Sequence, residues 1–159
     1  MIAAVDQHWG IGYQGKILEH IPEDLQFFKS VVYGNPAIMG RKTYESLPKK
    51  VIEYFCGSGI VMTHQGWHWD KDNGVLYSDM ESIESQMLFD DVTVIGGASV
   101  YETWLPRAEK IYLTHIYKEH ENVDAYFPAL DENKWKCIAQ SDIHYFGDIP
   151  YQFKTYSRY

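Results

Sequence analysis

The sequence predicts an α/β fold, a mostly parallel sheet with an antiparallel edge towards the C-terminus. Two observations carry this expectation. Up to Pro106, short apolar segments of strand length alternate with segments of helical periodicity. After Pro106 the helical pattern stops and alternating strands take over. The chain has 159 residues, enough for one domain with a sizeable core, and residues 1–159 are taken as a single domain.

In chain order, Ile2-Ala-Ala-Val5 reads as the first strand. Gly10-Ile-Gly12-Tyr-Gln-Gly15 follows it and fits G-x-G-x-x-G literally. The dinucleotide fingerprint also needs a helix opening at the glycines and an acid about 20 residues on. Here Ile17-Leu-Glu-His-Ile-Pro22 intervenes, and residues 35–40 offer no acid, so that reading is rejected in favour of a mobile glycine loop over a pocket. A helix is expected over 23–32, with Pro22 in the tolerant first turn. At about 100° per residue, Ile21, Leu25, Phe27, Phe28, Val31 and Val32 fill one apolar arc, and Asp24 projects from inside it. A buried carboxylate without partners is costly, so Asp24 marks either a functional site or a partly wet first-turn acid favoured by the helix dipole.

The second strand, 37–39, ends at Gly40, and a helix over 41–47 begins at once. Free backbone N–H groups there favour an anion, with Arg41, Lys42 and Thr43 as added donors; the alternative is a basic surface turn. Strands follow at 59–63 and 75–77, and a helix at 80–88. His64 and His68 are four apart, but Gly66, Trp67 and Trp69 suggest a loop rather than a metal pair. The strand at 92–95 runs into Gly96-Gly97 and a helix over 99–105, with Ser99 and Glu102 at capping-box spacing. Two glycine-to-helix junctions after strands suit a two-phosphate ligand at the carboxyl ends of a sheet. Strands at 110–117, 135–140 and 151–156 complete the pattern.

Bulk composition narrows the function. At 45% hydrophobic and 16% aromatic residues, the chain is not disordered. A net charge of -8 argues against a nucleic-acid surface, and no segment approaches the ~20 apolar residues of a membrane span. The N-terminus has no signal-peptide pattern, and Cys56 and Cys137 are too few for a disulfide framework, so a cytoplasmic setting is expected. Cys56 has no activating partner in sequence, and Lys118-Glu-His-Glu-Asn122 reads as an exposed turn. H-E-x-x-H, paired C-x-x-C and P-loop motifs are absent, and Gly57-Ser-Gly59 lacks nucleophile-elbow spacing. Redox chemistry carried by a bound cofactor is the leading class.

Seven segments occur in the order found in dihydrofolate reductases, and together the chain resembles that family over nearly its whole length. They are Ile2-Ala-Ala4; Trp9-Gly-Ile-Gly12; Ile21-Pro-Glu-Asp-Leu25 with Phe28; Ile38-Met-Gly-Arg-Lys-Thr43; Val94-Ile-Gly-Gly97 with Val100-Tyr101; Tyr112-Leu-Thr-His-Ile116; and Asp124-Ala-Tyr-Phe-Pro128. The resemblance implies an eight-stranded, mostly parallel sheet with an antiparallel C-terminal edge and about four flanking helices. It implies NADPH-dependent reduction of 7,8-dihydrofolate to tetrahydrofolate, by hydride transfer to C6 and protonation of N5, in a cytoplasmic monomer. Asp24 matches the acid that pairs with the pterin's ring N–H and 2-amino group, and Thr114 the threonine that supports it. Ile2, Ala4, Leu25, Phe28, Leu47 and Ile95 match pterin- and benzoyl-pocket positions. Gly12 to Ile17, with Ile11 and Gly15 in the same run, match the loop that closes over the nicotinamide, which Ala4, Ile95 and Tyr101 also approach. Tyr101 and Ile17 join Asp24 and Thr114 as the residues expected at the reacting centre. Arg41, Lys42 and Thr43 after Gly40 match cofactor phosphate positions, and Thr63 and His64 lie near the adenosine 2′-phosphate. Gly96, Gly97, Ala98, Ser99 and Val100 match the second phosphate turn.

Two departures stand out. The family's common Leu-Pro-Trp is Ile17-Leu18-Glu19 here, so the tryptophan that often holds a water beside the acid is missing. The arginine expected before the third strand, which binds the folate α-carboxylate, is also absent; Tyr54-Phe-Cys-Gly-Ser-Gly59 stands there. Lys29, Lys49 and Lys50 are candidate substitutes, but lysine lacks the planar fork, and weaker tail recognition is expected. Competing readings are a same-fold reductase of another heterocycle, such as a pyrimidine reductase, and a non-catalytic nucleotide-binding relative. Asp24 in its I-P-E-D-L setting counts against the first, and the intact glycine junctions against the second.

Overall fold

The computed structural model describes residues 1–55, 58–85 and 91–159. Strands β1 (Ile2–Val5), β2 (Gly10–Tyr13) and β3 (Lys16–Ile17) precede helix α1 (Pro22–Val32). Then come β4 (Ala37–Gly40), α2 (Arg41–Ser46), the short α3 (Lys49–Ile52), β5 (Gly59–Met62), β6 (His68–Asp70), β7 (Val75–Ser78) and α4 (Met80–Ser85). The chain continues through β8 (Thr93–Gly96), α5 (Ala98–Trp104), β9 (Lys110–Ile116), β10 (Ala125–Tyr126), β11 (Trp135–Gln140), β12 (His144–Phe146) and β13 (Ile149–Arg158). It is an α/β fold with five α-helices among the described residues, α3 being the one the sequence pattern did not signal. Of the helix expected over 80–88, residues 86–88 lie outside the described residues, as does Cys56.

Hydrogen bonding groups the strands into sheets of five, three and five, and so does not reproduce one ladder of eight. One sheet runs β6-β7-β5-β4-β8 and another β1-β9-β13-β11, with β12 paired to β13. β4, β5, β7 and β8 pair in parallel, as do β1 and β9, while β13 pairs antiparallel to β9, β11 and β12. The antiparallel C-terminal edge follows the strand-only pattern after Pro106.

Period-2 alternation places successive residues of the parallel strands on opposite faces. Ile38, Ile60 and Val94 belong to one buried cluster with Trp104, Leu113 and Phe127. Met39, Val61 and Ile95 belong to a second with Ile2 and Val32, onto which α1 packs Phe27, Phe28 and Val31. Both faces are therefore covered, which explains the near-continuous apolar runs of these strands. No helix among the described residues is long and apolar enough to cross a membrane.

Three short elements correct the sequence reading. Residues 10–17 form a hairpin, β2 against β3, rather than an irregular loop, and β10 pairs with β2 on its other side. The turn is made at Gln14 and Gly15, both at positive φ, and the Gln14 N–H donates to Asp124 Oδ2 at 2.9 Å. A Cβ on Gly12 would stand 2.8 Å from the Lys16 carbonyl oxygen, so close strand approach requires that glycine. His68, read as a loop residue, lies in β6, and its ring stacks on Tyr77 at 4.6 Å and 4°.

Candidate active site

Asp24 sits in the first turn of α1, whose apolar face holds the helix against the sheet beside β1. The parallel register of β1 and β9 sets Ala4 opposite Thr114. Thr114, 1% exposed, donates its hydroxyl to Asp24 Oδ1 at 2.6 Å. Burial raises the Asp24 pKa above the ordinary carboxylate range, and the Thr114 bond opposes the rise. Asp24 Oδ2 has no partner among the described residues, and no buried side-chain N or O there lacks one, so this oxygen remains open. The arrangement is a carboxylate fixed at one oxygen and offered at the other, in low-dielectric surroundings that strengthen a hydrogen bond to it.

The apolar positions around it divide into two groups. Ile2 and Ile95 are buried in one cluster, with Phe28 and Leu47 packed against it. Ile17 and Leu25 are 56% and 44% exposed. Leu25 therefore leaves the buried side of the α1 arc, and with Ile17 it keeps apolar surface open to a ligand. Tyr101 is buried and donates its hydroxyl to the Ile2 carbonyl at 2.7 Å, with its ring 4.8 Å from Phe127. Burial, helped by the Asp24 charge, pushes its pKa far up, so it is a neutral phenol.

The two glycine junctions converge. β4 pairs with β8 so that Met39 stands opposite Gly96. A Cβ on Gly40 would lie 3.2 Å from Val100 and 3.7 Å from the Gly97 N, and one on Gly97 would lie 3.3 Å from Thr43 Oγ1. Gly40 and Gly97 are the N-cap residues of α2 and α5, and neither helix start carries a side-chain cap. The Ser99–Glu102 capping box is thus not formed: α5 starts one residue earlier, at Ala98, and the Ser99 carbonyl accepts from the Thr103 hydroxyl. Arg41 and Lys42 are exposed at the first junction, with Arg41 Nε 3.8 Å from Glu45. Thr63 follows β5, accepting the Gln65 N–H at 3.3 Å, and His64 is exposed beside it.

Glu19, at the position of the missing tryptophan, does not turn to Asp24. Its Oε1 lies 2.6 Å from Lys118 Nζ and 2.9 Å from His120 Nε2. Burial opposes ionisation of Glu19, but the Lys118 and His120 bonds outweigh it and hold its pKa below the usual range. His120 Nδ1 in turn stands 3.2 Å from Asp6 Oδ2. The run 118–122 is therefore not simply a solvated turn, since the His120 side chain is 12% exposed. Sequence reasoning missed Asp6, Lys118 and His120; Asp6 and Glu19 precede His120 by 114 and 101 positions, and no local pattern announces such pairs.

A family model described as dihydrofolate reductase matches residues 1–158. Dihydrofolate reductase HdrB of Haloferax volcanii is 34% identical, over 97% of this chain and 82% of its own length. Dihydrofolate reductase of Haemophilus influenzae is 35% identical, over 86% of this chain and 82% of its own. That of Neisseria meningitidis is 32% identical, over 100% and 97%.

Proposed function

The chain belongs to the dihydrofolate reductase family, and from that premise we propose that Asp24, supported by Thr114, is the group that holds and orients the substrate. The enzyme is an NADPH-dependent oxidoreductase that reduces 7,8-dihydrofolate to 5,6,7,8-tetrahydrofolate for one-carbon metabolism. The observation that carries the Asp24 assignment is its open Oδ2 beside an Oδ1 taken by a buried threonine hydroxyl. Two adjacent N–H donors on the pterin, the ring N–H and the 2-amino group, match the two carboxylate oxygens as a bidentate pair. An ionised Asp24 draws positive charge into the pterin ring and so favours protonation at N5 while C6 accepts the hydride. Thr114 keeps the carboxylate in that orientation. Ile2, Ala4, Leu25, Phe28, Leu47 and Ile95 supply the apolar walls that exclude water.

The residues present fit NADPH. Uncapped starts of α2 and α5 face each other through Gly40 and Gly97, and the exposed Arg41 and Lys42 stand at the first. When bound, this cofactor supplies the hydride. In our reading Thr43 and Ser99 to Val100 bind its phosphates, Thr63, His64 and Arg41 its 2′-phosphate end, and Ala4, Ile11, Gly12, Gly15, Ile17 and Tyr101 surround its reactive end. Strands β7, β5, β4, β8, β1, β9, β13 and β11 form, in this proposal, one eight-stranded layer once β8 and β1, which pack side by side, are taken as neighbours. In the same reading residues 1–159 are one domain acting as a cytoplasmic monomer, and the charge of -8 speaks against a nucleic-acid partner.

The test is NADPH oxidation with dihydrofolate in the parent and in Asp24→Asn. The parent turns over, and the variant loses at least about 10²-fold in kcat/KM, the scale of a positioned acid–base group. A parent without turnover refutes the activity; a variant close to the parent refutes the role of Asp24.

A further inference from the structure

We propose that His120, as an imidazolium, is a positioning residue that clamps the segment carrying Ile17 and Glu19 to the end of β1. The inference rests on reading that segment as the cover of the reacting centre. Asp6 is built into the turn after β1: its Oδ1 accepts the His8 and Gly10 N–H groups at 2.9 and 2.8 Å. Its side chain is 1% exposed, and Oδ2 has only His120 Nδ1, at 3.2 Å, as a partner among the described residues. The other ring nitrogen stands 2.9 Å from Glu19 Oε1. A carboxylate only accepts, and a neutral imidazole carries one N–H. Either neutral tautomer leaves a lone pair facing a carboxylate, at Asp6 in one case and at Glu19 in the other. Only the doubly protonated ring donates to both.

The charges agree. Asp6 and Glu19 are two anions, and Lys118 with the imidazolium makes two cations, so the closed cluster is neutral. A neutral ring leaves one anion in excess at a site where His120 and Glu19 are 12% and 16% exposed. Other ionisable groups nearby are Tyr13, Lys16, Glu119 and Glu121, which line the same ≈ 480 Å³ cavity. Glu119 is taken by His8 at 3.3 Å, on the solvent side. The clamp is therefore closed while the ring holds both protons and opens when one of them is lost. Asp6 directly follows β1, Glu19 leads into α1, and both flank the positions we assign to the reacting centre. A change at His120 should thus be read as looseness of the hairpin, with a faster release of NADPH.

The decisive variant is Glu19→Gln, whose amide donates to a neutral Nε2 while Nδ1–H still serves Asp6; the clamp then no longer needs the second proton. Hydrogen exchange of amides 14–19, corrected for intrinsic rates, and NMR of the His120 ring are followed from about pH 5 upward until the ring is neutral. In the parent, protection falls about tenfold as the ring loses its proton, and the NADPH release rate rises by a similar factor. In Glu19→Gln both stay flat over the same range, and in His120→Ala protection is low throughout. Parent protection that survives deprotonation of the ring, or a Glu19→Gln profile parallel to the parent, overturns the clamp. Exchange is read without substrate or cofactor, so a parent with no dihydrofolate turnover would refute the functional reading while leaving the clamp measurement intact. A clamp that opens on schedule without changing NADPH release refutes its positioning role instead.

Discussion

Replacing Thr114 by valine isolates the support that Asp24 receives. The two side chains have nearly the same volume, and Thr114 is 1% exposed, so the change removes a hydroxyl without opening a cavity. What is lost is the 2.6 Å donation to Asp24 Oδ1. A hydrogen bond to a charged group contributes about 1.5–3 kcal/mol. At about 1.4 kcal/mol per decade, its loss from a transition state that uses the ionised carboxylate lowers kcat/KM roughly ten- to hundredfold. The direction of the pH response follows from the same bond. Burial raises the Asp24 pKa and Thr114 opposes that rise, so in Thr114→Val burial acts alone and the pKa climbs further. The ionised anchor is then lost at a higher pH as the solution is acidified, and the acid limb of kcat/KM moves to higher pH. The assay is steady-state NADPH oxidation across pH, with NADPH saturating and its Kd measured separately. A variant within about twofold of the parent, with an unmoved acid limb, would refute the reasoning.

Three further outcomes are expected. Arg41→Ala should weaken NADPH binding by about tenfold in a fluorescence titration, the scale of one exposed charge-assisted contact already shared with Glu45; an unchanged Kd removes Arg41 from the site. Removing the glutamate tail of the substrate should cost this enzyme less than it costs an arginine-bearing relative, because Lys29, whose Nζ lies 5.3 Å over the Tyr54 ring, offers one point charge; an equal penalty overturns that expectation. Burial, with the Lys154 charge adding, holds His115 down at about 4 against 6.5. The folded ring then binds fewer protons than the unfolded one between those values, so stability rises with pH across the window, is complete above about 6.5, and is lost as pH falls towards about 4. The full gap would be worth about 3.5 kcal/mol, and partial exposure reduces this to roughly 2. His115→Gln should flatten that slope in thermal unfolding, and an unchanged slope sinks the assignment.

The parts of the fold legible in sequence were those with a period. Strands at 2–5, 37–39 and 135–140 and the helix ending at Val32 are found at or within a residue of their expected limits, since each is marked by a short apolar run, by alternation or by a helical apolar arc. The hairpin at 10–17 was not legible. β3 is two residues long, with no room for a pattern, and Gly10 and Gly12 look like loop residues. They are glycine because a Cβ on Gly10 would come within 2.9 Å of Asp6 Oδ1, and one on Gly12 within 2.8 Å of the Lys16 carbonyl. The glycine junctions were legible as local motifs, but their meeting was not. It depends on β4 lying beside β8, a pairing of strands 56 positions apart, Ala37 with Thr93.

The sequence also could not say which acid near the start of α1 stays available. Glu19, Glu23 and Asp24 all lie within six positions, and simple charge counting would treat them alike. The tertiary structure separates them. Glu19 is engaged by Lys118 and His120. Glu23 is engaged by the Tyr151 hydroxyl, with His144 Nδ1 at 3.4 Å. Asp24 alone of the three has neither a lysine nor an imidazole beside it among the described residues; its one side-chain partner is an uncharged hydroxyl. Its raised pKa is accordingly set by burial, against the opposing Thr114 bond, and not by repulsion from the neighbouring acids, both of which are engaged by other side chains. A carboxylate in that state gains most from a ligand that brings N–H donors, because such a ligand supplies the hydrogen bonds that burial withholds. With Glu19 and Glu23 taken by their partners, Asp24 is the acid of the three left without a basic side-chain partner among the described residues, and its Oδ2 is open, which is what our assignment of it as the substrate anchor requires.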